Sequence, residues 1–194
     1  MKKVVFLLIA MGFVSVLNAQ KRFHVDTTKS IIKWTGSNLF KFNKHFGTVK
    51  FEKGSLVLKK DSIIGGDFEI DMNTIRNTDG KYNEMLVGHL KNEDFFDVEK
   101  YPKARLEILK ITYKDRSNLD IEAHLTIKGI TQPINYSSTL DQSDEQLIMK
   151  SQFIIDRTRW NVNYESKSLL DGLKDDIISD AIAFEVTVAL KSDK

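Results

Sequence analysis

The chain has 194 residues, of which 29 are basic, 27 are acidic and none is cysteine. Without cysteine, a disulfide framework and a lipid-modified cysteine terminus are both excluded, so stability must come from a hydrophobic core, for which one domain of this length is large enough. The nearly balanced charge leaves no electrostatic footprint for nucleic acid or for an anionic membrane surface.

The N-terminus has the organisation of a secretory signal peptide. Two lysines precede an apolar run that ends at Val16, and the small residue Ala19 follows shortly after it. The run is shorter than the roughly 20 apolar residues of a membrane-spanning helix, which argues against the alternative of an uncleaved anchor. We therefore predict a signal peptide at residues 1–19, a mature domain at residues 20–194 and a periplasmic or secreted location. Cleavage removes two basic residues and no acidic one, which leaves a mature formal charge of zero.

From residue 21 onward, apolar and polar residues alternate with a period of two. The clearest rows are residues 64–72, 119–127, 147–155 and 184–190. Such alternation is typical of strands with one buried face. The number of rows predicts an all-β fold of about eight antiparallel strands. Glycines within the strand rows favour a tightly curved sheet that closes into a barrel and so removes its edges.

One segment near residues 80–92 interrupts the strand pattern. Met85, Leu86, His89 and Leu90 have the spacing of one helix face, and polar residues just upstream can cap the first turn. We predict a helical insertion that covers the apolar interior as a lid or plug. A weaker helical spacing lies within residues 165–180.

Residue types that carry chemistry are scattered along the chain. The four histidines lack the spacing of a metal-ligand set, and the sequence contains neither a nucleophile elbow nor a glycine-rich phosphate loop. No catalytic residue, metal site or cofactor is predicted. His45, His89 and Arg157 are the candidates for a polar mouth. A structural explanation stays open for two of them, a hydrogen-bonded core histidine at position 89 and an ion pair for Arg157.

The inward-facing apolar positions form the candidate ligand site. A barrel of about eight strands is either filled by its own side chains or holds one small ligand. The predicted lining consists of Trp34, Phe51, Phe68, Ile70, Leu86, Leu90, Phe95, Phe153 and Phe184. For Phe95, simple core packing beside Phe96 is the alternative.

Several short motifs, taken in order, resemble the YceI-like family of exported bacterial lipid-binding proteins. They are V-D-T-T-K-S at 25–30 with W-T-G at 34–36, H-F-G at 45–47, H-L-K at 89–91 with D-F-F-D at 94–97, L-T-I-K-G-I-T at 125–131, and D-R-T at 156–158 with Trp160. The resemblance implies an extended lipocalin-like antiparallel barrel whose long apolar cavity holds a polyisoprenoid or related amphiphile. Asn161, where many members place glycine, and residues 164–180 depart from the family pattern.

These observations predict a non-enzymatic carrier of a long-chain polyisoprenoid or similar amphiphilic lipid. One alternative is an enzyme that acts on a lipid or quinone with His45, His89 or Arg157 as its polar centre, for which two of these residues would converge in the cavity. Another is a structural protein whose barrel is packed solid. The predicted partner is the lipid, with no nucleic acid and no stable membrane insertion after signal cleavage; a homodimer is compatible with the sequence.

Overall fold

The structure, a computed structural model, describes residues 20–38, 43–60, 62–80, 83–143, 145–166 and 177–192. The predicted signal peptide and most of the weaker helical spacing, residues 167–176, lie outside the described residues. The elements in the described ranges are β1 Gln20–Val25, β2 Ile31–Ser37, β3 Lys44–Lys59, β4 Ser62–Asn77, α1 Asn83–Lys91, β5 Lys103–Tyr113, β6 Asn118–Ile127, β7 Ile130–Gln142, β8 Gln146–Asp156, a 3-10 helix Arg157–Trp160 and β9 Ala181–Ser192. None of the described helices has both the length and the apolar character needed to cross a bilayer.

The strands form one closed antiparallel sheet. Its order around the barrel is β2-β9-β8-β7-β6-β5-β4-β3, and β3 pairs with β2 to close the ring. Strands β1 and β2 both pair with β3 and with β9, so they occupy successive stretches of a single strand position. The barrel therefore has eight strand positions, and the predicted closed antiparallel barrel of about eight strands is confirmed.

The connections between strands lie alternately at two ends of the barrel. One end, called the helix end below, carries α1 between β4 and β5, and it carries the 3-10 helix between β8 and β9. The other, called the hairpin end, carries the short β3–β4, β5–β6 and β7–β8 connections and the start of β1. Longer connections are thus concentrated at one end, where they cover the barrel interior.

Two glycines are required by the local geometry. A Cβ on Gly47 would collide with the Arg76 carbonyl oxygen and with the Trp34 ring, so β3 and β4 approach closely there only because the side chain is absent. In the β6–β7 turn, Lys128 and Gly129 both have positive φ, at 50° and 75°. This is the conformation of a two-residue hairpin turn that matches the twist of the flanking strands.

Register shifts bend the longest strands. Three occur between β3 and β4, and one lies between Ile108 and Lys110 of β5, where the apolar phase of the sequence also changes. A bulge inserts an unpaired residue and increases the local twist. These shifts help the sheet to curve into a closed barrel.

Helix α1 falls within the predicted insertion, but its buried face is narrower than predicted. Only Leu90 is buried; Met85 is 59% exposed and His89 is also exposed. Leu86 is half-buried and packs against the core. The prediction that Met85 and His89 belong to the buried face is wrong, because this nine-residue helix turns only its C-terminal end toward the barrel interior.

The interior at the hairpin end is filled by side chains. Leu56, Leu119 and Leu147 have no exposed surface, and Phe23 and Leu190 are each 1% exposed. These residues come from five different strands, so they meet at the barrel axis. This half of the barrel has the dense packing of an ordinary protein core.

Candidate functional site

A cavity occupies the half of the barrel nearer the helix end. Its free volume is about 160 Å³, and 28 of the described residues line it. The lining residues come from all eight strand positions, from α1 and from the segments around it. Because so many residues surround so small a volume, the cavity is a narrow slot, and its walls are almost wholly apolar.

Eight of the nine predicted apolar residues line this cavity: Trp34, Phe51, Phe68, Ile70, Leu90, Phe95, Phe153 and Phe184. Leu86 does not, because α1 directs its C-terminal turn rather than its middle toward the slot. Contact of these residues with a ligand stays a prediction. Phe96 also lines the slot, so the Phe95–Phe96 pair belongs both to the core and to the cavity wall.

Four aromatic side chains on adjacent strands form a band across one wall, called the aromatic belt below. Trp34 is the Cα partner of Phe184, which is the Cα partner of Phe153. The Phe153 and Phe184 rings are 5.5 Å apart and the Tyr136 and Phe153 rings are 4.9 Å apart, with interplanar angles of 28° and 30°. The belt therefore presents a nearly continuous aromatic surface to the cavity.

Tyr136 is a polar member of this belt and is absent from the predicted lining residues. Its side chain is half-buried, and burial raises the pKa of its phenol well above the usual value. These two facts agree if the accessible part of the ring faces the cavity rather than bulk water. The available signal was its place in the alternating row with Ile134 and Ser138, whose other members point inward.

A second polar group of the belt is the indole N–H of Trp34. It is buried and has no hydrogen-bond partner among the described residues. A buried donor without an acceptor costs about 1–3 kcal/mol. The belt therefore contains a donor that the described part of the protein leaves unused.

Arg157 closes the cavity at the helix end. Its side chain is 1% exposed and donates to the carbonyl oxygens of Val162 at 2.7 Å, Ser179 at 3.2 Å and Ile178 at 3.3 Å. Burial lowers the pKa of the guanidinium from its usual value, and the Asp180 carboxylate, 3.4 Å away, opposes part of that shift. The guanidinium thus ties together the segments on either side of residues 167–176.

The other two polar candidates lie outside the cavity lining. His45 Nδ1 is 2.6 Å from the Asp79 carboxylate, which also accepts from the Asn77 amide at 2.7 Å; the same amide donates to Asn83 at 3.0 Å. This network joins the ends of β3 and β4 to the start of α1. His89 is exposed, with its ring 6.1 Å from that of Tyr164. Of the three predicted mouth residues, only Arg157 touches the slot.

The described residues indicate no metal site. Within the ranges that the structure describes, no group of three or more histidine or acidic side chains is arranged to hold a metal ion.

Comparison with known proteins gives curated relatives and solved structures that resemble the chain. Protein YceI of Escherichia coli O6:H1 is 28% identical over 95 residues, which is 49% of this chain and 48% of that protein. A UPF0312 protein of Vibrio parahaemolyticus is 26% identical over 94 residues, covering 48% of this chain and 45% of the relative. The matches therefore span about half the length of these curated relatives.

Two solved structures share the fold. Burkholderia cenocepacia BcnA superposes with a TM-score of 0.69 at 18% identity, over 85% of this chain and 98% of that one. A polyisoprenoid binding domain from Saccharophagus degradans gives a TM-score of 0.62 at 14% identity, over 88% and 98% of the two chains. The sequence model of the YceI-like domain matches residues 23–190, which include every strand pair around the cavity. On that match, the chain belongs to the YceI-like family.

Proposed function

We propose that this protein binds and carries a long-chain polyisoprenoid or a similar amphiphilic lipid in the barrel cavity, without chemical change to the lipid. The observation that carries the proposal is the narrow apolar slot inside one half of a closed barrel. The Saccharophagus degradans structure is that of a polyisoprenoid binding domain, and it supports the same ligand class for a chain of the same fold.

The shape of the slot favours a thin flexible chain over a bulky rigid ligand. Its free volume of about 160 Å³ is below the roughly 300–1,000 Å³ of pockets that take drug-sized molecules. Burying on the order of 500 Å² of hydrocarbon yields roughly 12 kcal/mol gross. Association costs of about 4–15 kcal/mol offset much of this gain. Useful affinity therefore requires a long chain, and the slot must widen to admit one.

No observation favours the enzyme alternative. That hypothesis expects at least two of His45, His89 and Arg157 to converge in the cavity, and only Arg157 lines it. Its guanidinium is engaged by backbone carbonyls rather than directed at an open site. Export to the periplasm or beyond is part of the proposal and rests on the predicted signal peptide.

The test begins with protein purified from cells that express the full chain. Organic extraction and mass spectrometry should recover a long-chain isoprenoid or related lipid at close to one per protein, and the delipidated protein should take up an added polyprenol. Sequencing of the purified N-terminus should begin at Gln20. If extraction repeatedly recovers no lipid and added polyprenols do not bind, the carrier function is wrong.

A further inference from the structure

Beside the cavity, the strand ladder of the barrel wall is interrupted between β7 and β8. These strands pair only from Ser138–Ser151 to Gln142–Leu147 within the described residues. Beyond Ser138, β7 continues paired to β6 alone, and beyond Ser151, β8 continues paired to β9 alone. The gap between residues 130–137 of β7 and residues 152–156 of β8 is called the seam below.

Side chains, rather than a backbone ladder, bridge the seam. The Tyr136 and Phe153 rings meet across it at 4.9 Å. Nearer the helix end, Arg159 donates to the Pro133 carbonyl oxygen at 2.9 Å, and Gln132 donates to the Arg159 carbonyl oxygen at 3.1 Å. Side-chain contacts of this kind separate and re-form far more readily than a continuous strand ladder, because exposed side chains change rotamer on a nanosecond timescale.

Pro133 marks the seam in the sequence. The N–H and C=O groups of a strand residue point to the same side, and the Pro133 carbonyl points to the seam, where it meets Arg159. The N–H that proline lacks would therefore also face the seam. Proline within a sheet is confined to such edge positions, where no ladder hydrogen bond is lost.

A groove on the outer surface lies at the base of the seam. It has a volume of about 740 Å³ and is lined by residues of β6 to β9, among them Ser137, Lys150 and Gln152. Ser151 and Val186 line both this outer groove and the inner cavity. The groove and the cavity are therefore neighbours on opposite faces of the barrel wall.

The two spaces differ in chemistry in the way that the two parts of an amphiphile differ. The inner cavity is almost wholly apolar, whereas the outer groove carries hydroxyl and amide groups and charges of both signs, including Lys150 and Glu185. Charges of both signs do not select an anionic or cationic head. The hydrogen-bonding groups of the groove match an uncharged polar head such as an alcohol or a carbonyl.

We propose that the lipid enters sideways through the seam between β7 and β8, with Tyr136 and Phe153 as the gate, and that its polar head remains in the outer groove while its tail fills the cavity. This inference rests on the proposed function. It is favoured over passage along the barrel axis because the hairpin end is filled by Leu56, Leu119 and Leu147, and Arg157 fastens the cover of the helix end.

The seam can be locked by a pair of cysteines. Continuing the β7–β8 register places Asn135 opposite Ile154, and both side chains are exposed on the outer surface. Because the chain has no cysteine of its own, Asn135→Cys with Ile154→Cys creates the only two thiols. A short, reversible bis-methanethiosulfonate then ties the seam shut. The matched control is Asn135→Cys with Glu122→Cys, which ties the same β7 residue to its existing Cα partner on β6.

The experiment follows uptake by the delipidated proteins of two probes, the slender apolar dye 1,6-diphenylhexatriene and a long-chain polyprenol. Locking the seam should slow uptake of both by at least about ten-fold, because association that requires an opening step is limited by that step. Reduction of the cross-link should restore the rate, and the locked control should behave as the unmodified protein. Uptake that stays equally fast with the seam locked would overturn the lateral route.

The two probes separate this inference from the proposed function. If the dye enters in a seam-dependent manner and the polyprenol never binds, the portal stands and the polyisoprenoid function fails. If neither probe enters the unlocked protein, both are wrong. For the head group, a polyprenol should bind more tightly than the hydrocarbon of equal length, and Gln152→Ala should reduce only the polyprenol affinity. Equal affinities for the two would refute the head-group part of the proposal.

Discussion

The two halves of the barrel are built from the same alternating strands, yet one is solid and the other is hollow. Along β8, Leu147 near the hairpin end has no exposed surface, whereas Phe153 near the helix end borders the slot. The difference lies in the strand position between β3 and β9, which β1 fills at the hairpin end and β2 at the helix end. Phe23 of β1 enters the packed half as a nearly inaccessible ring.

The break between β1 and β2 marks the border of the two halves. Asp26 begins this turn, where its carboxylate accepts from the Thr28 N–H at 3.1 Å and lies 2.6 Å from the Lys191 ammonium. The hydrogen bond from Lys191, together with those from Thr28, holds the pKa of Asp26 below its usual range. This barrel therefore keeps a cavity because its dense packing is confined to the half that contains β1.

The largest expected effect comes from removing a ring from the packed half. Phe23→Ala should lower the free energy of unfolding by about 3–5 kcal/mol, because a large void in a dense core cannot collapse. The comparison variant is Phe184→Ala, whose ring already borders free space and should cost only about 1–2 kcal/mol. Urea denaturation measures both. Equal losses would show that the two halves are equally packed and would contradict the comparison.

Arg157 gives the next effect, because its hydrogen bonds hold together the segments that cover the hollow half. Arg157→Met should lower the free energy of unfolding by about 1–3 kcal/mol, since buried carbonyls lose their donor. Bound lipid should also dissociate faster. Stopped-flow fluorescence measures this rate as an apolar dye replaces the lipid in the cavity. Arg105→Met is the control, because Arg105 is exposed on the outer face of β5, away from the cavity and from the seam. If the Arg157→Met protein is as stable as the unsubstituted protein, Arg157 does not fasten the segments at the helix end.

A side chain that fills the slot should weaken ligand binding and leave the stability of the fold unchanged. Gly36 lines the cavity and has no atom within 4 Å of the place where a Cβ would be built. Gly36→Leu should therefore fold normally and weaken polyprenol binding by at least about ten-fold, which corresponds to about 1.4 kcal/mol. Gly88→Leu adds the same atoms on the exposed surface of α1, where space is also open, and should bind normally. Normal binding by both variants would place the ligand elsewhere.

The sequence predicts the strands well because alternation reports directly which face is buried. Of the nine residues that it predicts as lining, eight line the cavity, and six of these lie in strands and follow from the same alternation. It misassigns Leu86 because helix spacing shows which residues share a face but not which turn of the helix reaches the barrel. The solid and hollow halves were not predictable, since Leu147 and Phe153 belong to one alternating row. The two halves differ in whether β1 or β2 occupies the strand position that these strands share. That sharing depends on long-range pairing, which an alternating pattern does not report.

The sequence contains one local sign of the seam. Pro133 lies within a strand, where a missing N–H indicates an unpaired edge. Because a closed barrel is expected to have no free edge, alternation alone gives Pro133 no such meaning. Tyr136 was missed for a different reason, because a tyrosine in an inward row is equally consistent with a solid core and with a cavity wall.

The smallest expected effect concerns the single hydroxyl of Tyr136. Burial raises the pKa of this phenol above its ordinary value of 10.0, so above pH 10 the unfolded chain loses the proton while the folded protein keeps it. Folding stability should therefore fall as pH rises past 10, by up to about 1.4 kcal/mol per pH unit. Tyr136→Phe has no such proton to lose and should show a smaller decline. Urea denaturation from pH 9 to pH 11.5 measures the difference between the two proteins, and parallel pH profiles would mean that the phenol is open to bulk water rather than enclosed in the hollow half.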